Sequence, residues 1–177
     1  NRTDTNGDWS TLATIGAVVG VTLCAAAITV LTCGVGTATL AGAVAVGAAK
    51  GALIGAAVGT GVGAGVGYAT TGTVKGAATG AAIGFGAGAA IGAAVGGAMG
   101  GSNYASAARF LKSNGADVKN TLSAFKGTPK VKTLNADTTV YRTWGGGSGK
   151  YGHWVSPRNY GSMARRMLAL PPENSTA

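Results

Sequence analysis

The last third of the chain contains the residues whose types are best suited to chemistry. In the segment TTVYRTW, residues 138–144, period-two alternation places Arg142 on one face of a predicted strand with Val140 and Trp144. A guanidinium is always charged and binds phosphate or carboxylate through two parallel hydrogen bonds, and Trp144 can stack on a ring. The segment predicts a binding site for a phosphate or a carboxylate. The alternative is an exposed arginine on an edge strand.

His153 is the second candidate, in the segment YGHWVS, residues 151–156. It is the only histidine of the chain, and a lone histidine is more often an ordinary polar strand residue than a catalyst. Cys24 and Cys33 lie in an apolar segment distant from it in the sequence, so these three residues do not make up a metal site. We expect no bound metal and two buried, unpaired thiols.

A glycine-rich loop connects these two segments. Gly147–Gly152 satisfies the pattern GxGxxG, but a predicted strand follows it where a dinucleotide-binding loop needs a helix. The Walker pattern fails, because Trp144 stands where glycine is required and Tyr151 stands where Ser or Thr is required. Two interpretations stay open: a plain hairpin loop and a loop that faces a ligand.

Charge divides the chain that must position these residues. The 177 residues include 33 glycines, only 11% are charged and 6% are aromatic, and the net charge is +9. Lys50 and Lys75 are the only charged residues from 9 to 108, whereas residues 109–177 hold eleven basic residues and three acidic ones. This composition excludes an ordinary globular enzyme and a charge-rich disordered chain. It predicts an apolar unit followed by a small basic unit.

The apolar unit begins with the best single membrane candidate, Ser10–Leu31, which is 22 uncharged residues long. That length spans a bilayer as a helix. Asp8 or Ser10 is the expected N-cap, and the Cys33-Gly34 step is the expected end. Further on, Lys50 either extends to the headgroups from a helix end, which we favour, or marks a break before the next helix.

Glycines then recur every four residues in two registers. Residues four apart lie on one face of a helix, so each register forms a smooth strip along which another backbone can pack closely, a glycine zipper. A glycine inside a helix costs about 1 kcal/mol relative to alanine, so fourteen of them require close helix packing to offset that cost. We expect two helices, Gly47–Ala69 and Gly72–Gly100, that pack closely in a hairpin folded near Tyr68–Thr73, in an oligomer or in a bilayer. The alternative is a flexible or aggregation-prone spacer. The glycines are Gly47, Gly51, Gly55, Gly59, Gly63 and Gly67, then Gly72, Gly76, Gly80, Gly84, Gly88, Gly92, Gly96 and Gly100.

The basic unit has weaker signals, and they change from helical to strand period. The predicted helices are Asn103–Ser113, capped by Ser102, then Ala116–Lys126 and Ser162–Leu170, and the predicted strands are Val131–Leu134, Thr138–Trp144 and Tyr151–Ser156. The fold class is therefore mainly α: membrane-associated glycine-zipper helical hairpins followed by a small, incomplete α+β domain. The expected segments are 1–9 (linker), 10–101 (glycine-zipper helices), 102–130 (short helices and linker) and 131–177 (α+β domain).

An Ala/Gly-rich hydrophobic stretch followed by a short C-terminal domain resembles the C-terminal end of bacterial polymorphic toxins. Three motifs carry the finer resemblance: VYR at 140–142 with its glycine-rich loop, GHWVSP at 152–157 and ALPP at 169–172. They are similar to the opening of toxin domains that consume NAD, the tuberculosis-necrotizing-toxin-like glycohydrolases and their ADP-ribosyltransferase relatives. The resemblance covers residues 131–175.

This resemblance implies that NAD is a substrate. Arg142 would hold its phosphates, with Trp144 as the second NAD-binding candidate. Ser156 would lie beside the nicotinamide ribose, and Ser156 and His153 are the catalytic candidates. The chain ends before the later strands that bring the family's Gln or Glu, and Glu173 is the only carboxylate after residue 137. We therefore expect an inactive fragment of a larger protein.

These features predict part of a secreted bacterial toxin, in which the zipper segment interacts with or crosses a membrane and the basic unit begins an NAD-consuming domain. The alternatives are a pore-forming or a structural glycine-zipper membrane protein without catalysis. The expected partners are a lipid bilayer, further copies of the chain through the zipper, and an immunity protein. No nucleic-acid motif accompanies the basic residues, so no nucleic acid is expected. The expected location is secreted or membrane-associated.

Overall fold

The computed structural model describes residues 10–33, 39–123, 125, 127–134, 136–143 and 155–167. The chain divides into two compact units, Asn1–Val131 and Lys132–Ala177. The first unit contains four helices: α1 (Thr11–Thr32), α2 (Leu40–Thr71), α3 (Val74–Ser113) and α4 (Val118–Ser123). In the second unit a 3-10 turn, Gly161–Met163, leads into α5 (Ala164–Met167). The described chain is mainly α-helical, as predicted.

Each of the three long helices begins after a hydroxyl residue. A serine or threonine side chain at the N-cap accepts a hydrogen bond from a backbone N–H of the first turn, which otherwise has no partner inside the helix. Ser10, one of the two caps that the sequence offered, is the N-cap of α1, and α1 also ends at Cys33 as expected. The three bonds run from Ala13 N to Ser10 Oγ (3.2 Å), from Gly42 N to Thr39 Oγ1 (3.1 Å) and from Gly76 N to Thr73 Oγ1 (3.0 Å).

The link between α2 and α3 is as short as a helical hairpin allows. Gly72 lies at φ 65°, a left-handed conformation that favours glycine, and its N–H donates to the carbonyl of Tyr68 at 2.7 Å. Thr73 then caps α3. Of the packings left open by the sequence, the structure has the hairpin folded near Tyr68–Thr73, and the two-residue link makes α2 and α3 antiparallel neighbours.

Helix α3 is longer than predicted. The sequence placed a separate helix at Asn103–Ser113, capped by Ser102, but α3 continues through this region without a break. The reason is packing: Gly100 and Gly101 lie against the first turns of α2, where Leu40 is one contact, and this contact keeps the backbone helical. The predicted stop is confirmed, since Asn114 caps the helix and its side chain donates to the carbonyl of Phe110 at 2.7 Å.

Two further differences concern the end of the first unit and the cysteines. The predicted helix Ala116–Lys126 is reduced to α4, because Asp117 accepts a hydrogen bond from the N–H of Asn120 and starts the helix there. Cys24 is half-buried and Cys33 is exposed, so the prediction of two buried thiols was wrong. Cys33 stands at the C-cap of α1, outside the packed part of the helix.

The predicted strands Val131–Leu134 and Thr138–Trp144 are absent from the described residues, and residues 151–154 of the predicted strand Tyr151–Ser156 lie outside them. Val131–Leu134 and residues 138–143 have no strand, and the one β-type pairing is an isolated antiparallel bridge between Tyr141 and Ser156. Val140 and Val155, next to the bridge, are exposed, so among the described residues no apolar layer covers it. Two strands without such a layer are marginal in water. The α+β expectation is therefore wrong for the residues described.

Candidate functional site

The seam between α2 and α3 brings two backbones into direct contact. A Cβ atom built on Gly55 would lie 2.9 Å from the carbonyl carbon of Gly88 and 3.0 Å from the Cα of Gly92, closer than real Cβ contacts. The reciprocal position gives the same distances, from Gly88 to Gly55 and Gly59. Glycine alone permits this approach of two helices, which is the purpose of small residues at helix interfaces.

The contacts repeat along the seam with one rule: the numbers of the two partner glycines add up to 143. The two predicted registers therefore face each other within a single chain, and the five-residue slip between them falls at the turn, where Gly72 has open space around it. Ala43 and Gly100 continue the series at the other end. The pairs are Gly47–Gly96, Gly51–Gly92, Gly55–Gly88, Gly59–Gly84, Gly63–Gly80 and Gly67–Gly76.

Helix α1 packs on α3 through further glycines that the four-residue registers did not include. A Cβ on Gly16 would lie 2.6 Å from the carbonyl oxygen of Ala82, and one on Gly86 would lie 2.7 Å from the Cα of Gly16. The ring of Phe85 covers Gly20, where a Cβ would lie 2.9 Å from its Cγ. Gly16 and Gly20 are themselves four apart, and this spacing was the sequence signal for the contact.

Most of the large apolar side chains described in this unit are exposed, while its interior is made mainly of small residues. Its buried apolar residues are alanines with Val46 and Leu122. Along α2, every fourth residue from Ile54 to Val66 forms an outward ridge that is 58–67% exposed. Soluble monomeric proteins rarely expose contiguous apolar surface of this kind. The ridge is Ile54, Val58, Val62 and Val66, and α3 exposes Ile91, Val95 and Met99 in the same spacing.

Helices α1, α2 and α3 are each long and apolar enough to cross a membrane. Helix α2 continues through Lys50, which is exposed, so the alternative of a break at that residue was wrong. At about 1.5 Å per residue, α1 is about 33 Å long and α2 about 48 Å, against roughly 30 Å of hydrocarbon. The second and third spans exceed the glycine-defined lengths expected from the sequence.

The second unit contains a cavity of about 220 Å³. Two mutual backbone hydrogen bonds of 2.7 Å between Tyr141 and Ser156 hold two segments together and place Arg142 at its wall. Ser156 is 5% exposed, and its Oγ accepts a hydrogen bond from the N–H of Arg158 at 3.1 Å. The lining consists of Tyr141, Arg142, Thr143, Ser156, Arg158, Asn159, Tyr160, Gly161 and Ala164.

Two of the four predicted site residues, Arg142 and Ser156, thus line one cavity. Trp144 and His153 lie outside the described residues, as does the loop Gly147–Gly152. Sequence reasoning missed Arg158, because no motif or periodicity singles it out. Its signal was position: it follows Ser156 by two residues, with a proline between them.

The described residues that line the cavity include two arginines, two tyrosines and a serine, and no carboxylate is among them. Such a set attracts an anion and offers aromatic faces to a ring. Its chemistry fits a phosphate or carboxylate attached to a larger group.

Comparisons of the chain with protein-family models, with curated proteins and with solved structures find no match.

Proposed function

We propose that the glycine-seamed unit, residues 10–113, functions by inserting into a lipid bilayer. The observation that carries the proposal is the inverted arrangement of side chains: glycine and alanine fill the contacts between helices, and valine, isoleucine and leucine cover the outside. In water this arrangement exposes the residues that drive folding. In hydrocarbon the same residues are favourable, by about 0.3–0.6 kcal/mol for each Leu, Ile, Val or Phe.

The seam supplies what a membrane helix pair needs. Lipid tails are as apolar as valine, so helices in a bilayer associate through close packing rather than through the hydrophobic effect. Six glycine pairs provide that packing over the length from Gly47 to Gly67. Because the seam is closed within one chain, the hairpin does not need a second copy to satisfy its glycines.

The test is insertion of the full chain into vesicles, measured by flotation and resistance to carbonate extraction. The double variant Val58→Lys with Val62→Lys places two charges on the lipid-facing ridge, and each costs about 2.5–3.5 kcal/mol at mid-membrane. We expect the variant to lose insertion. The matched control, Ser102→Lys with Ser106→Lys, adds the same charge at exposed positions near the end of α3 and retains it. Equal insertion of both variants would refute the proposal.

We further propose that the whole is part of a secreted bacterial toxin whose second unit begins an NAD-consuming domain, a toxin class paired with an immunity protein. The support is that Arg142 and Ser156, named by the resemblance, meet at one cavity with Arg158. The guanidinium of Arg142 would bind the phosphates, and the Ser156 hydroxyl would lie near the nicotinamide ribose. The second guanidinium strengthens the attraction for a diphosphate.

NAD binding by the full chain, measured by calorimetry in detergent micelles, tests this second proposal. We expect Arg142→Ala to weaken binding about tenfold or more, because a hydrogen bond to a charged group contributes about 1.5–3 kcal/mol. Arg166→Ala removes the same charge from an exposed residue that does not line the cavity, and we expect it to leave binding unchanged. Absence of NAD binding, or equal loss in both variants, would refute the assignment.

A pore built from several copies is the second candidate. One observation favours it: Gly61 and Gly65, four apart on α2, have open space where a side chain would lie, beside the exposed Val58 and Val62. Self-association would use this surface, since the seam is occupied. Release of a vesicle-trapped dye by the full chain, weakened by Gly61→Leu with Gly65→Leu, would support the pore. Sealed vesicles that nevertheless contain the inserted protein would exclude it.

A further inference from the structure

We propose that Lys50 and the pair Tyr68–Lys75 mark the two headgroup layers of the bilayer, so that the α2–α3 hairpin crosses it with its turn at the far interface. The inference rests on the proposed membrane insertion and adds to it a depth, a direction and the lipid groups contacted. The positive charges and the phenol would bind lipid phosphates and the polar interface.

The seam register gives the relative heights of these residues. Because partner positions add up to 143, Lys75 is level with Tyr68, and Lys50 is level with Ala93. Lys50 precedes Tyr68 by 18 residues, which corresponds to about 27 Å along the helix axis. The hydrocarbon core of a bilayer is roughly 30 Å thick. Two levels at this separation match the two boundaries of a membrane.

The residue types at those levels are the ones that interfaces select. Lys50, Tyr68 and Lys75 are all exposed, and the two lysines are the only charged residues between positions 9 and 108. A lysine keeps its four-carbon stem in hydrocarbon while its ammonium reaches the headgroups. Tyrosine is enriched at the same depth, with its ring in the apolar region and its hydroxyl in the polar one.

The segment between the two levels contains what hydrocarbon requires. No charged residue occurs from 51 to 74 or from 76 to 92. The exposed ridge from Ile54 to Val66 lies wholly between Lys50 and Tyr68, as do five of the six glycine pairs. The midpoint between the two levels is the pair Gly59–Gly84, which is where we place the centre of the bilayer.

Helix α1 defines a competing position for the bilayer. Gly16 lies beside Ala82 and Ile83, and Ala27 packs with Ala93, so α1 runs parallel to α3. The middle of α1 is therefore level with about residue 89 of α3 and residue 54 of α2, about 7.5 Å from the midpoint set by the lysines. If the hydrophobic length of α1 decided the depth, Ile54 would lie at the bilayer centre.

Depth measurements on the full chain distinguish these positions. A fluorophore is attached to single cysteines at Ile54, Val58, Val62 or Val66 in a Cys24→Ala, Cys33→Ala background, and is quenched by nitroxide lipids in phosphatidylcholine–phosphatidylglycerol vesicles. We expect the deepest label at Val58, followed by Val62. A deepest label at Ile54 would overturn the inference and leave membrane insertion standing. No quenching by the acyl-chain nitroxide at any position would overturn both.

The anchoring role of the lysine is tested in the same assay. Lys50→Leu removes the boundary on its side, so we expect the deepest position to move from Val58 towards Ile54 by about one helical turn, or about 6 Å. Lys112→Leu, a matched charge removal at the end of α3, is expected to leave the depth profile unchanged. An unchanged profile for Lys50→Leu, or the same shift for both variants, would overturn the role of Lys50 as an anchor.

Discussion

Two glycines that are two residues apart on α2 provide a sharp test of the seam. A Cβ on Gly59 would lie 3.0 Å from the carbonyl carbon of Gly84 and 3.0 Å from the Cα of Gly88. Around Gly61 nothing lies within 4 Å of the same added atom. The substitutions Gly59→Ala and Gly61→Ala therefore have the same chemistry and the same helix, and they differ in whether a backbone faces the new methyl group.

The expected effects on the free energy of unfolding have opposite signs. In a helix interior, either substitution gains up to about 1 kcal/mol in helix propensity. Overpacking costs about 1–3 kcal/mol, and we expect the upper end at Gly59, because the opposing atoms belong to a backbone that cannot rotate away. Gly59→Ala should destabilise the hairpin by about 2 kcal/mol, whereas Gly61→Ala should stabilise it by up to about 1 kcal/mol. A difference of about 3 kcal/mol is more than a hundredfold in the unfolding equilibrium constant.

Pyrene excimer fluorescence reports the opening of the hairpin. Labels at Ala41→Cys and Ser102→Cys lie level with each other, because their numbers add up to 143, and both positions are exposed. In the Cys24→Ala, Cys33→Ala background, the full chain is titrated with sodium dodecyl sulfate from a mild detergent, and the midpoint of excimer loss is measured. Equal midpoints for the two glycine variants, or a higher midpoint for Gly59→Ala, would refute the reasoning from backbone contact.

Three further predictions follow from the same geometry. With an added oxidant, cysteines at Ala41 and Ser102 should form a disulfide faster than cysteines at Ala41 and Ser106, as measured by mobility on a gel. Equal rates would contradict the register of α2 against α3. Gly72→Ala should lower the free energy of unfolding by about 1 kcal/mol, and with it the midpoint of the titration, since alanine is strained at a positive φ; an unchanged midpoint would contradict the left-handed turn. Gly16→Leu should detach α1 from α3, which is measured as increased protease cleavage near α1, while the excimer signal of the hairpin persists. Loss of the excimer signal together with increased cleavage would contradict the independence of α1 and the hairpin.

The sequence predicted the hairpin because its signal is local and repeated. A glycine every four residues defines a helix face wherever it occurs, and the slip between Gly67 and Gly72 located the turn. The extension of α3 beyond Ser102 could not be predicted from local signals. It depends on the first turns of α2 packing against Gly100 and Gly101, a contact between segments some sixty residues apart in sequence.

The structure of the second unit was harder to predict, because it too depends on contacts between segments. Its segments have β-branched and aromatic residues, but strand formation needs a partner strand and a covering layer, and neither follows from composition. Arg142 was predicted as a site residue from its residue type, and the structure shows only that it lines one cavity with Ser156. Arg158 also lines the cavity, in the turn after Ser156, and no motif in the sequence predicted that position. The roles of Arg142, Ser156, His153 and Trp144 all stay predictions.

The four-residue repeat of the paired glycines affects how the hairpin keeps its register. Moving one helix past the other by four residues would bring glycine opposite glycine again at almost every level. The repeating glycines alone therefore do not specify a single register of α2 against α3. The two-residue link fixes the register instead, because Gly72 and Thr73 are too short a connection to let the helices shift. With a longer connection, the two helices could slide along each other in steps of four residues, about 6 Å each.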